Sequence, residues 1–399
     1  MNVAVLGGGP AGAFAGAQLA AAGFPVTILE EKLAWEKPCG GGLTAKALER
    51  YPFLASADAP KRLVNRAVLV AANGARTCMR MRRPLAIYSR QVLNGLLLER
   101  ACRAGAAIVR DHVVSAVRQG GCWNLLGRDG QYAADFCVVA TGARNPLRDL
   151  GTQLTPQDAY VALGYFVPRE QEHIEIQFLH GLEGYVWVFP RTDHLSVGIC
   201  GKITGEGGTP RLRRMLEEYM ASHGIPTEGA TFYCHLLPSL GAASFDRNRV
   251  AGEGWAAAGD AAGLVDPVTG EGLYYALRSA DLLSGCLKEN RIAEYAERVR
   301  SELIDDLRLG SRVARLFYHG RFLLGAVPTR MVQFCRRSPT FEALMEDLFA
   351  GSQNYLGLKG RLLRQLGVTV WEVAASCWRP RTADSPADSN APRQVPSAL

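Results

Sequence analysis

The stretch Gly7-Gly8-Gly9-Pro10-Ala11-Gly12, directly after the apolar run from Val3 to Leu6, decides the fold of this chain. In a turn of this kind between a strand and a helix, Gly7 permits the tight turn and Gly9 lets the backbone approach a pyrophosphate. Gly12 lets the helix pack closely on the strand. The motif therefore predicts a nucleotide-binding turn, although a glycine-rich turn before an unrelated helix is the alternative.

The residues after this turn complete a β-α-β unit. An alanine-rich helix is predicted from Pro10 to Ala22, and its N-terminal N–H groups, near Ala11, are placed to bind phosphate. Gly23 ends the helix, and a second apolar strand from Pro25 to Leu29 follows. That strand ends at Glu30, whose carboxylate can accept hydrogen bonds from a ribose hydroxyl. The unit predicts a Rossmann-type dinucleotide-binding domain.

A second glycine-rich block begins 252 residues after the first, at Gly259-Asp260-Ala261-Ala262-Gly263. The Asp260 carboxylate could bond a hydroxyl of a ribityl chain, or it could cap a helix. The following loop, with Gly270 and Gly272, can direct N–H groups to the flavin-ring edge where negative charge collects on reduction. Two such blocks predict one long cofactor held by both ends of the chain, FAD rather than NAD.

The composition is that of an ordinary globular enzyme of 399 residues, with 48% hydrophobic and 21% charged residues and a net charge of +7. None of the ten cysteines forms a CxxC or a Cys/His pair at metal spacing, so we expect no bound metal and reduced, intracellular thiols. No secretory leader and no apolar run of roughly 18–20 residues are evident. We therefore expect a cytoplasmic protein, soluble or peripheral to a membrane, that does not bind nucleic acid.

The strand patterns predict an α/β fold with an inserted sheet. An apolar strand from Asp135 to Ala140 ends at Thr141-Gly142, and the alternating aromatic pattern from Tyr160 to Cys200 predicts an antiparallel sheet. We predict a Rossmann-type FAD-binding domain, an inserted antiparallel β-sheet substrate domain and C-terminal helices. The expected boundaries are 1–60, 86–150 and 245–300 for the first, 61–85 and 151–244 for the second, 301–378 for the helices and 379–399 for a disordered tail. Helices over 43–50 and 91–104 and a hairpin over 66–87 are also expected.

Three further motifs carry a resemblance to a known family: Lys37-Pro38-Cys39-Gly40-Gly41-Gly42-Leu43, Tyr185-x-Trp187-x-Phe189-Pro190 and Gly270-Glu271-Gly272. Together with the two glycine blocks, they resemble the geranylgeranyl reductase branch of the flavoproteins with the p-hydroxybenzoate hydroxylase fold. The similarity covers roughly residues 1 to 300 and is weaker in the C-terminal helices. The first two of these motifs discriminate best, because the glycine blocks occur throughout the wider family.

The resemblance implies how FAD is held. It places the pyrophosphate at Gly7 to Gly12, the adenosine ribose on Glu30, and the backbone of Val113 against the adenine. It places Arg90 near the phosphates and the ribityl chain. After the third strand the family often has an Asp-Gly pair, whereas this chain has Thr141-Gly142, which we assign to the cofactor site. Because that pair serves nicotinamide handling in hydroxylases, hydroxylase-type control by NAD(P)H is not expected here.

The resemblance also implies a reaction, the reduction of carbon–carbon double bonds in an isoprenoid chain by hydride from reduced flavin. Cys39 lies in the loop that would pass the flavin ring and is our candidate acid, and Lys37 could lower its pKa. Tyr185 and Trp187 share one strand face with Phe189 and are predicted to line an apolar substrate tunnel, with an aromatic core stripe as the alternative. The electron donor is expected to be NAD(P)H or reduced ferredoxin.

Two other functions stay open. One is an FAD-dependent monooxygenase or halogenase acting on an aromatic or polyketide-like molecule, which the missing Asp-Gly pair, the Lys37–Leu43 loop and the lack of a tryptophan–isoleucine motif disfavour. The other is a protein in which FAD is structural. His173, His180 and His194 have no ligand spacing and no evident acid partner.

The C-terminal region interleaves basic and apolar residues. Such a pattern fits either peripheral contact with an anionic membrane and a lipid substrate, or a solvated face over a core stripe. The basic residues are Arg312, Arg315, Arg321, Arg330, Arg336, Arg337, Lys359, Arg361 and Arg364.

Overall fold

A computed structural model describes residues 1–202 and 208–378, and the tail expected over 379–399 lies outside the described residues. The strands are β1 (Val3–Leu6), β2 (Val26–Leu29), β3 (Gly42–Leu43), β4 (Lys61–Val70), β5 (Arg76–Tyr88), β6 (Ala107–Val109), β7 (Val113–Gln119), β8 (Cys122–Gly127), β9 (Gln131–Ala134), β10 (Phe136–Val139), β11 (Ala159–Val167), β12 (Ile174–Gln177), β13 (Gly184–Pro190), β14 (Leu195–Lys202), β15 (Thr231–Pro238), β16 (Ala251–Gly252), β17 (Trp255–Ala257), β18 (Arg321–Phe322) and β19 (Gly325–Ala326).

The helices alternate with strands in the first half of the chain and follow one another in the last third. They are α1 (Pro10–Ala21), α2 (Ala45–Arg50), α3 (Phe53–Ser56), α4 (Arg90–Arg103), α5 (Gly208–Ser222), α6 (Ala242–Arg247), α7 (Leu273–Lys288), α8 (Tyr295–Val299), α9 (Asp305–His319), α10 (Val327–Arg337), α11 (Pro339–Phe349) and α12 (Tyr355–Trp378). Within the two described ranges, no helix is long and apolar enough to cross a bilayer.

The first sheet is the Rossmann-type layer that the sequence predicts. Its strand order is β16-β17-β10-β1-β2-β6, with β1 parallel to both β2 and β10. All four residues of β1 are buried, as expected for a strand covered on both faces. Helix α1 packs between α4 and α7. A Cβ atom at Gly12 would lie 1.9 Å from the carbonyl oxygen of Gly7, so only glycine permits this approach of helix to turn.

The second sheet has eight strands in the order β15-β11-β14-β13-β12-β4-β5-β3. Most neighbours are antiparallel, as predicted, but β12 pairs with β4 in parallel. That parallel pair joins the β4–β5 hairpin to the later strands in one layer. A third sheet, β7-β8-β9, rests on the first, where the Trp123 indole donates a hydrogen bond to the Gly254 carbonyl at 2.8 Å.

Two predicted helices begin at different residues. Helix α2 starts at Ala45 rather than Leu43, because the Thr44 hydroxyl caps it and Gly42–Leu43 pair with β5 as a strand. Helix α4 starts at Arg90, where Ser89 is the cap. Helices α9 to α12 pack on one another, and α10 and α11 also contact β5. The C-terminal helices thus cover one end of the second sheet.

Candidate functional site

One cavity of about 1140 Å³ runs through the described part of the chain. It begins at the turn after β1, passes the loop 37–42 and the loop 266–272, and ends between the second sheet and the C-terminal helices. This volume exceeds the range of roughly 300–1,000 Å³ that is typical of a single small-molecule site. The cavity therefore has room for a long cofactor and a second ligand.

The turn between β1 and α1 leaves an open cradle at one end of the cavity. Gly9 is the N-cap of α1, no side chain caps the helix, and a Cβ atom at Gly9 would meet nothing within 4 Å. Gly7, Pro10 and Ala11 line the same wall. Free N–H groups at an uncapped helix N-terminus are a suitable site for a phosphate. The predicted phosphate turn thus has both the space and the donors that it requires.

Glu30 lies at the end of β2 beside this cradle. Its carboxylate accepts hydrogen bonds from the Gly8 N–H at 2.7 Å and the Lys32 N–H at 2.9 Å. These bonds fix the carboxylate on the cavity wall. A carboxylate held in this way can accept hydrogen bonds from a ribose.

Arg90 carries an unpaired nitrogen in the cavity wall. Its side chain is buried and donates to the Asn94 amide oxygen at 3.3 Å, while its Nε atom has no partner among the described residues. Because buried polar atoms are nearly always satisfied, this atom indicates a place for an anionic or hydroxyl-bearing ligand. Val113, Thr141 and Gly142 line the same cavity, so the predicted cofactor residues of the first half lie together there, except for Gly12, which packs against Gly7 and Val5.

Asp260 reaches the cavity from the second glycine block. Its carboxylate pairs with the Lys37 ammonium at 3.2 Å. Burial raises the pKa of Asp260, but the charge and hydrogen bond of Lys37 outweigh it and hold that pKa below its usual value. The Lys37 ammonium is thus directed at Asp260.

His235 of β15 lies near this ion pair, and the sequence analysis did not identify it. It lines the cavity, and burial together with the positive charge of Lys37 lowers its pKa to about 3. The imidazole is therefore neutral at physiological pH. In the sequence, His235 is marked only by its place in the largely apolar segment that forms β15.

The loop from Asp266 to Gly272 is held by tyrosines from three separate elements. The Tyr185 hydroxyl of β13 donates to the Thr269 carbonyl, and the Tyr318 hydroxyl of α9 donates to the Val268 carbonyl at 2.7 Å. The Tyr355 hydroxyl of α12 lies 2.9 Å from both carboxylate oxygens of Asp266. The C-terminal helices thus fix the loop in which Gly270 and Gly272 line the cavity.

Glu271 is an acidic group in this loop that sequence reasoning considered only as part of a motif. It lies on the cavity wall and accepts a hydrogen bond from the Thr44 hydroxyl at 2.8 Å. Burial raises its pKa to about 7, so the protonated and the ionised forms of the side chain are both populated near neutral pH. Thr44 follows the loop 37–43, and the bond therefore links the two loops that flank the cavity.

This carboxyl group gives the protein a pH-dependent stability. Since its pKa is about 7 when folded against 4.5 for the free side chain, the folded state binds more protons between those values. Stability therefore falls as the pH rises through that window. We expect Glu271→Gln to reduce the loss of unfolding free energy between about pH 5 and about pH 8 by about 2 kcal/mol, measured by urea unfolding. Asp266, whose pKa burial also raises, would supply the remaining slope; an unchanged slope in the variant would contradict the assignment.

Cys39 lies on the cavity wall in a loop held from below by a buried arginine. The Cys39 carbonyl accepts hydrogen bonds from Arg191 Nη2 at 2.7 Å and Ser196 Oγ at 3.1 Å, while its sulfur accepts the Gly41 N–H at 3.3 Å. Arg191 also donates to the Tyr88 carbonyl and lies 3.5 Å from Glu36. This arginine immediately follows the Tyr185–Pro190 motif, yet sequence reasoning did not identify it.

The aromatic residues of β13 form one wall. Tyr185, Trp187 and Phe189 all line the cavity, as their alternation predicts, and the rings of the first two lie 6.3 Å apart. The Trp187 indole donates to Ser196 Oγ at 3.2 Å, and a Cβ atom at Gly198 would lie 2.2 Å from the indole ring. These contacts leave Trp187 little freedom to turn.

The far end of the cavity is apolar. Residues of β12 and of the C-terminal helices close it, among them Ile174, Ile176, Phe178, Phe317, Met331, Phe341, Met345 and Phe349. In the two described ranges, no cluster of three or more His, Cys, Asp or Glu side chains is placed to hold a metal ion.

Comparison with known proteins identifies the cofactor class. Residues 1–159 match the family model of the pyridine nucleotide-disulphide oxidoreductases, an FAD-binding family. A protein of Methanosarcina barkeri described as uncharacterized is 25% identical over 347 residues, which cover 82% of this chain and 84% of that one. The menaquinone reductase of Mycolicibacterium smegmatis is 28% identical over 342 residues, covering 79% and 83%. The chloroplastic geranylgeranyl diphosphate reductase of Arabidopsis thaliana is 24% identical over 323 residues, covering 72% and 66%.

Solved structures agree on the fold. A geranylgeranyl bacteriochlorophyll reductase-like protein of Thermoplasma acidophilum superposes with a TM-score of 0.74 at 17% identity, over 94% of this chain and 98% of that one. The flavin-dependent brominase Bmp2 superposes with a TM-score of 0.66 at 15% identity, over 93% and 98%. At these identities the likeness concerns the fold alone.

The fold and the site define an FAD-dependent oxidoreductase with the p-hydroxybenzoate hydroxylase-like architecture. The orphaned Arg90 nitrogen and the open cradle at Gly9 suit that cofactor. The resemblance to the geranylgeranyl reductase family that the sequence motifs predicted is confirmed.

Proposed function

We propose that this protein reduces carbon–carbon double bonds of an isoprenoid chain. The observation that supports this most directly is the single cavity that joins the phosphate cradle at Gly9 to an apolar compartment lined by Phe178, Phe317 and Met331. A polar substrate would gain little binding free energy in such a compartment, whereas a long hydrocarbon chain would bury apolar surface along its whole length. The names of two relatives, a geranylgeranyl diphosphate reductase and a menaquinone reductase, agree with this class of molecule.

FAD bound in the cradle would supply hydride to one alkene carbon, with NAD(P)H or reduced ferredoxin as the source of electrons. The chain itself must supply the proton that the other alkene carbon gains. Cys39 is proposed as the donor, because it lines the cavity in a loop that Arg191 and Ser196 hold in place. The aromatic wall at Tyr185 and Trp187 excludes water from the alkene, which protects the reaction from competing hydration.

Replacement of Cys39 tests the proton donor. We expect Cys39→Ala to slow the reoxidation of reduced flavin by an isoprenoid alkene by at least about 100-fold, the effect of removing a general acid. Flavin content should not change and thermal stability should change little, because the Cys39 carbonyl keeps its two hydrogen bonds and the variant loses only the bond from the Gly41 N–H to the sulfur. Cys78→Ala, at an exposed site on β5, is the matched control. Full activity of the Cys39 variant would remove the proposed role and leave the fold assignment intact.

The reaction class is tested by anaerobic titration. The enzyme is reduced with dithionite and mixed with geranylgeranyl lipids, or with phenolic substrates plus oxygen. Reoxidation by the alkene alone is the expected result. Turnover that requires oxygen and gives peroxide or a hydroxylated product would instead favour a monooxygenase. A halogenated product in the presence of halide would favour a halogenase, a class to which the structurally similar brominase belongs. Absence of reoxidation by either would leave FAD with a structural role.

A further inference from the structure

The outer face of the C-terminal region is apolar where a water-soluble protein is normally polar. Of the large hydrophobic side chains that are exposed in the described residues, most belong to the segment from 316 to 371. These are Leu316, Phe322, Leu323, Leu324, Leu356, Leu362, Leu363, Leu366, Val368, Val370 and Trp371. We call this set the apolar face. A clustered surface of this kind normally marks a site of interaction.

Helix α12 has its polar side turned inward. Arg361 pairs with Asp347 at 2.7 Å, and the Glu372 carboxylate accepts hydrogen bonds from Thr340 Oγ1 at 2.8 Å and from the Thr340 N–H at 3.2 Å. The side opposite Arg361 and Glu372 carries the exposed Leu356, Leu363, Leu366 and Val370, and Trp371, which is 68% exposed, lies at its flank. A surface helix in water has the reverse arrangement. The outward side of α12 is therefore suited to an apolar environment rather than to water.

The hairpin β18–β19 places two leucines at its tip in an unfavourable conformation. Leu323 and Leu324 have φ values of +47° and +63°, the left-handed region that two-residue hairpin turns require and that Asn and Gly normally occupy. Leu324 is 98% exposed, so the leucines gain no burial within the described chain in return. Arg330 of α10 holds the tip through the Leu323 carbonyl at 2.5 Å. The hairpin thus presents a fixed apolar projection.

Exposed basic residues are interspersed along the chain with the residues of the apolar face. The segment from Gly310 to Trp378 contains nine Lys or Arg and four Asp or Glu, a net charge of +5 against +7 for the whole chain. Arg312, Arg315, Arg321, Lys359 and Arg364 are exposed there. A surface that combines exposed leucines with exposed cations complements an anionic bilayer, whose headgroups attract the cations while its acyl region accepts the leucines.

The cavity reaches this face. Leu316, Leu356 and Leu363 belong both to the exposed set and to the cavity wall, as does the exposed Lys359. We propose that the β18–β19 tip and the outward side of α12 dock on the surface of an anionic phospholipid bilayer, so that the cavity opens toward the lipid. This docking proposal does not depend on the proposed reaction, because any apolar ligand carried in the membrane could reach the cavity in this way.

Vesicle sedimentation with the full FAD-loaded chain tests the proposal. We expect the protein to bind phosphatidylcholine vesicles containing about 30% phosphatidylglycerol, and to bind pure phosphatidylcholine vesicles at least about tenfold more weakly. High salt should weaken the binding to the anionic vesicles, because it screens the charges of the exposed basic residues. Binding is measured without substrate, so its failure and a failure of alkene reduction are separate results.

Two variants remove the apolar groups without disturbing the fold. Leu323→Asn with Leu324→Gly installs the residue pair that this turn prefers, so folding should be retained while vesicle binding falls at least about tenfold. Leu366→Gln with Trp371→Gln keeps good helix formers and tests the α12 side in the same way. Leu63→Thr removes an exposed leucine from β4 and should bind as the unaltered chain does.

Three results would overturn the proposal. The unaltered chain could fail to bind the anionic vesicles, or the two double variants could bind them as well as it does. The third result is a dimer in light scattering that the Leu366→Gln, Trp371→Gln variant dissociates, with no vesicle binding. In that case the apolar face would be an interface between copies of this chain.

Discussion

Replacing Arg191 with leucine is expected to destabilise the protein by about 3–5 kcal/mol and to abolish flavin-dependent reduction, because it breaks a buried ionic network. Arg191 is 1% exposed, and its two terminal nitrogens donate to the Cys39 and Tyr88 carbonyls. Leucine would remove the guanidinium donor from both carbonyls and the cation from Glu36, and the Cys39 carbonyl would keep only its hydrogen bond from Ser196 Oγ. The loop that carries the candidate acid would then lose its support.

Partial replacement distinguishes positioning from stability. Arg191→Lys keeps the positive charge, but a single ammonium cannot reproduce the planar fork that reaches two carbonyls at once. We expect it to recover most of the unfolding free energy measured in urea while the rate of flavin reoxidation by the alkene stays low. Arg66→Leu is the control, since Arg66 forms an exposed ion pair with Glu172 that contributes about 1 kcal/mol or less. If Arg191→Lys restored the rate in full, Arg191 would have only a structural role.

The cofactor half of the site could be predicted because its determinants are local. The turn at Gly7 to Gly12, the strand before it and Glu30 lie within about one β-α-β unit, and their spacing reflects contacts that such a unit always makes. Arg90 and Val113 came from the family resemblance rather than from spacing. In the structure, Gly7, Gly9, Glu30, Arg90 and Val113 line one cavity.

The partners of the Cys39 loop could not be predicted because they are distant in the chain. Arg191 lies 152 residues from the Cys39 carbonyl that it holds, and Lys37 lies 223 residues from Asp260. Sequence reasoning considered only the neighbour in the chain and therefore directed Lys37 at Cys39. The bond between Thr44 and Glu271 was missed for the same reason, since it spans 227 residues.

The C-terminal region shows a different limit. Interleaved arginines and leucines fit equally well with a membrane surface and with a core stripe, because periodicity identifies two helix faces but not which one packs inward. The contacts of α12 show that Arg361 and Glu372 face the protein, and this orientation supports the proposed docking surface. The C-terminal helices also contact the loop 266–272, because Tyr318 of α9 and Tyr355 of α12 form hydrogen bonds to it. A ligand that entered the cavity between α9 and α12 would therefore pass Tyr318 and Tyr355, which hold the loop 266–272.

Replacing Gly12 is expected to reduce both the unfolding free energy and the flavin content strongly. A Cβ atom there would lie 1.9 Å from the Gly7 carbonyl oxygen and 3.0 Å from the Val5 side chain, so α1 would have to move away from β1. We expect Gly12→Ala to lower the unfolding free energy by at least about 2 kcal/mol, as overpacking in a core does, and to yield protein without flavin. Flavin absorbance of the purified protein and urea unfolding measure the two effects.

The Gly9→Ala variant distinguishes the role of this turn in binding phosphate from its role in packing α1 on β1. Gly9 has φ −67° and ψ −174°, which alanine adopts without strain, and its Cβ atom would meet nothing within 4 Å. The flavin-free protein should therefore unfold at the same urea concentration as the unaltered chain. FAD affinity should nevertheless fall at least about tenfold, because the methyl group would stand where the pyrophosphate has to approach the backbone. Unchanged FAD affinity in Gly9→Ala would place the phosphates elsewhere, whereas loss of stability in the flavin-free state would show that this glycine serves packing as Gly12 does.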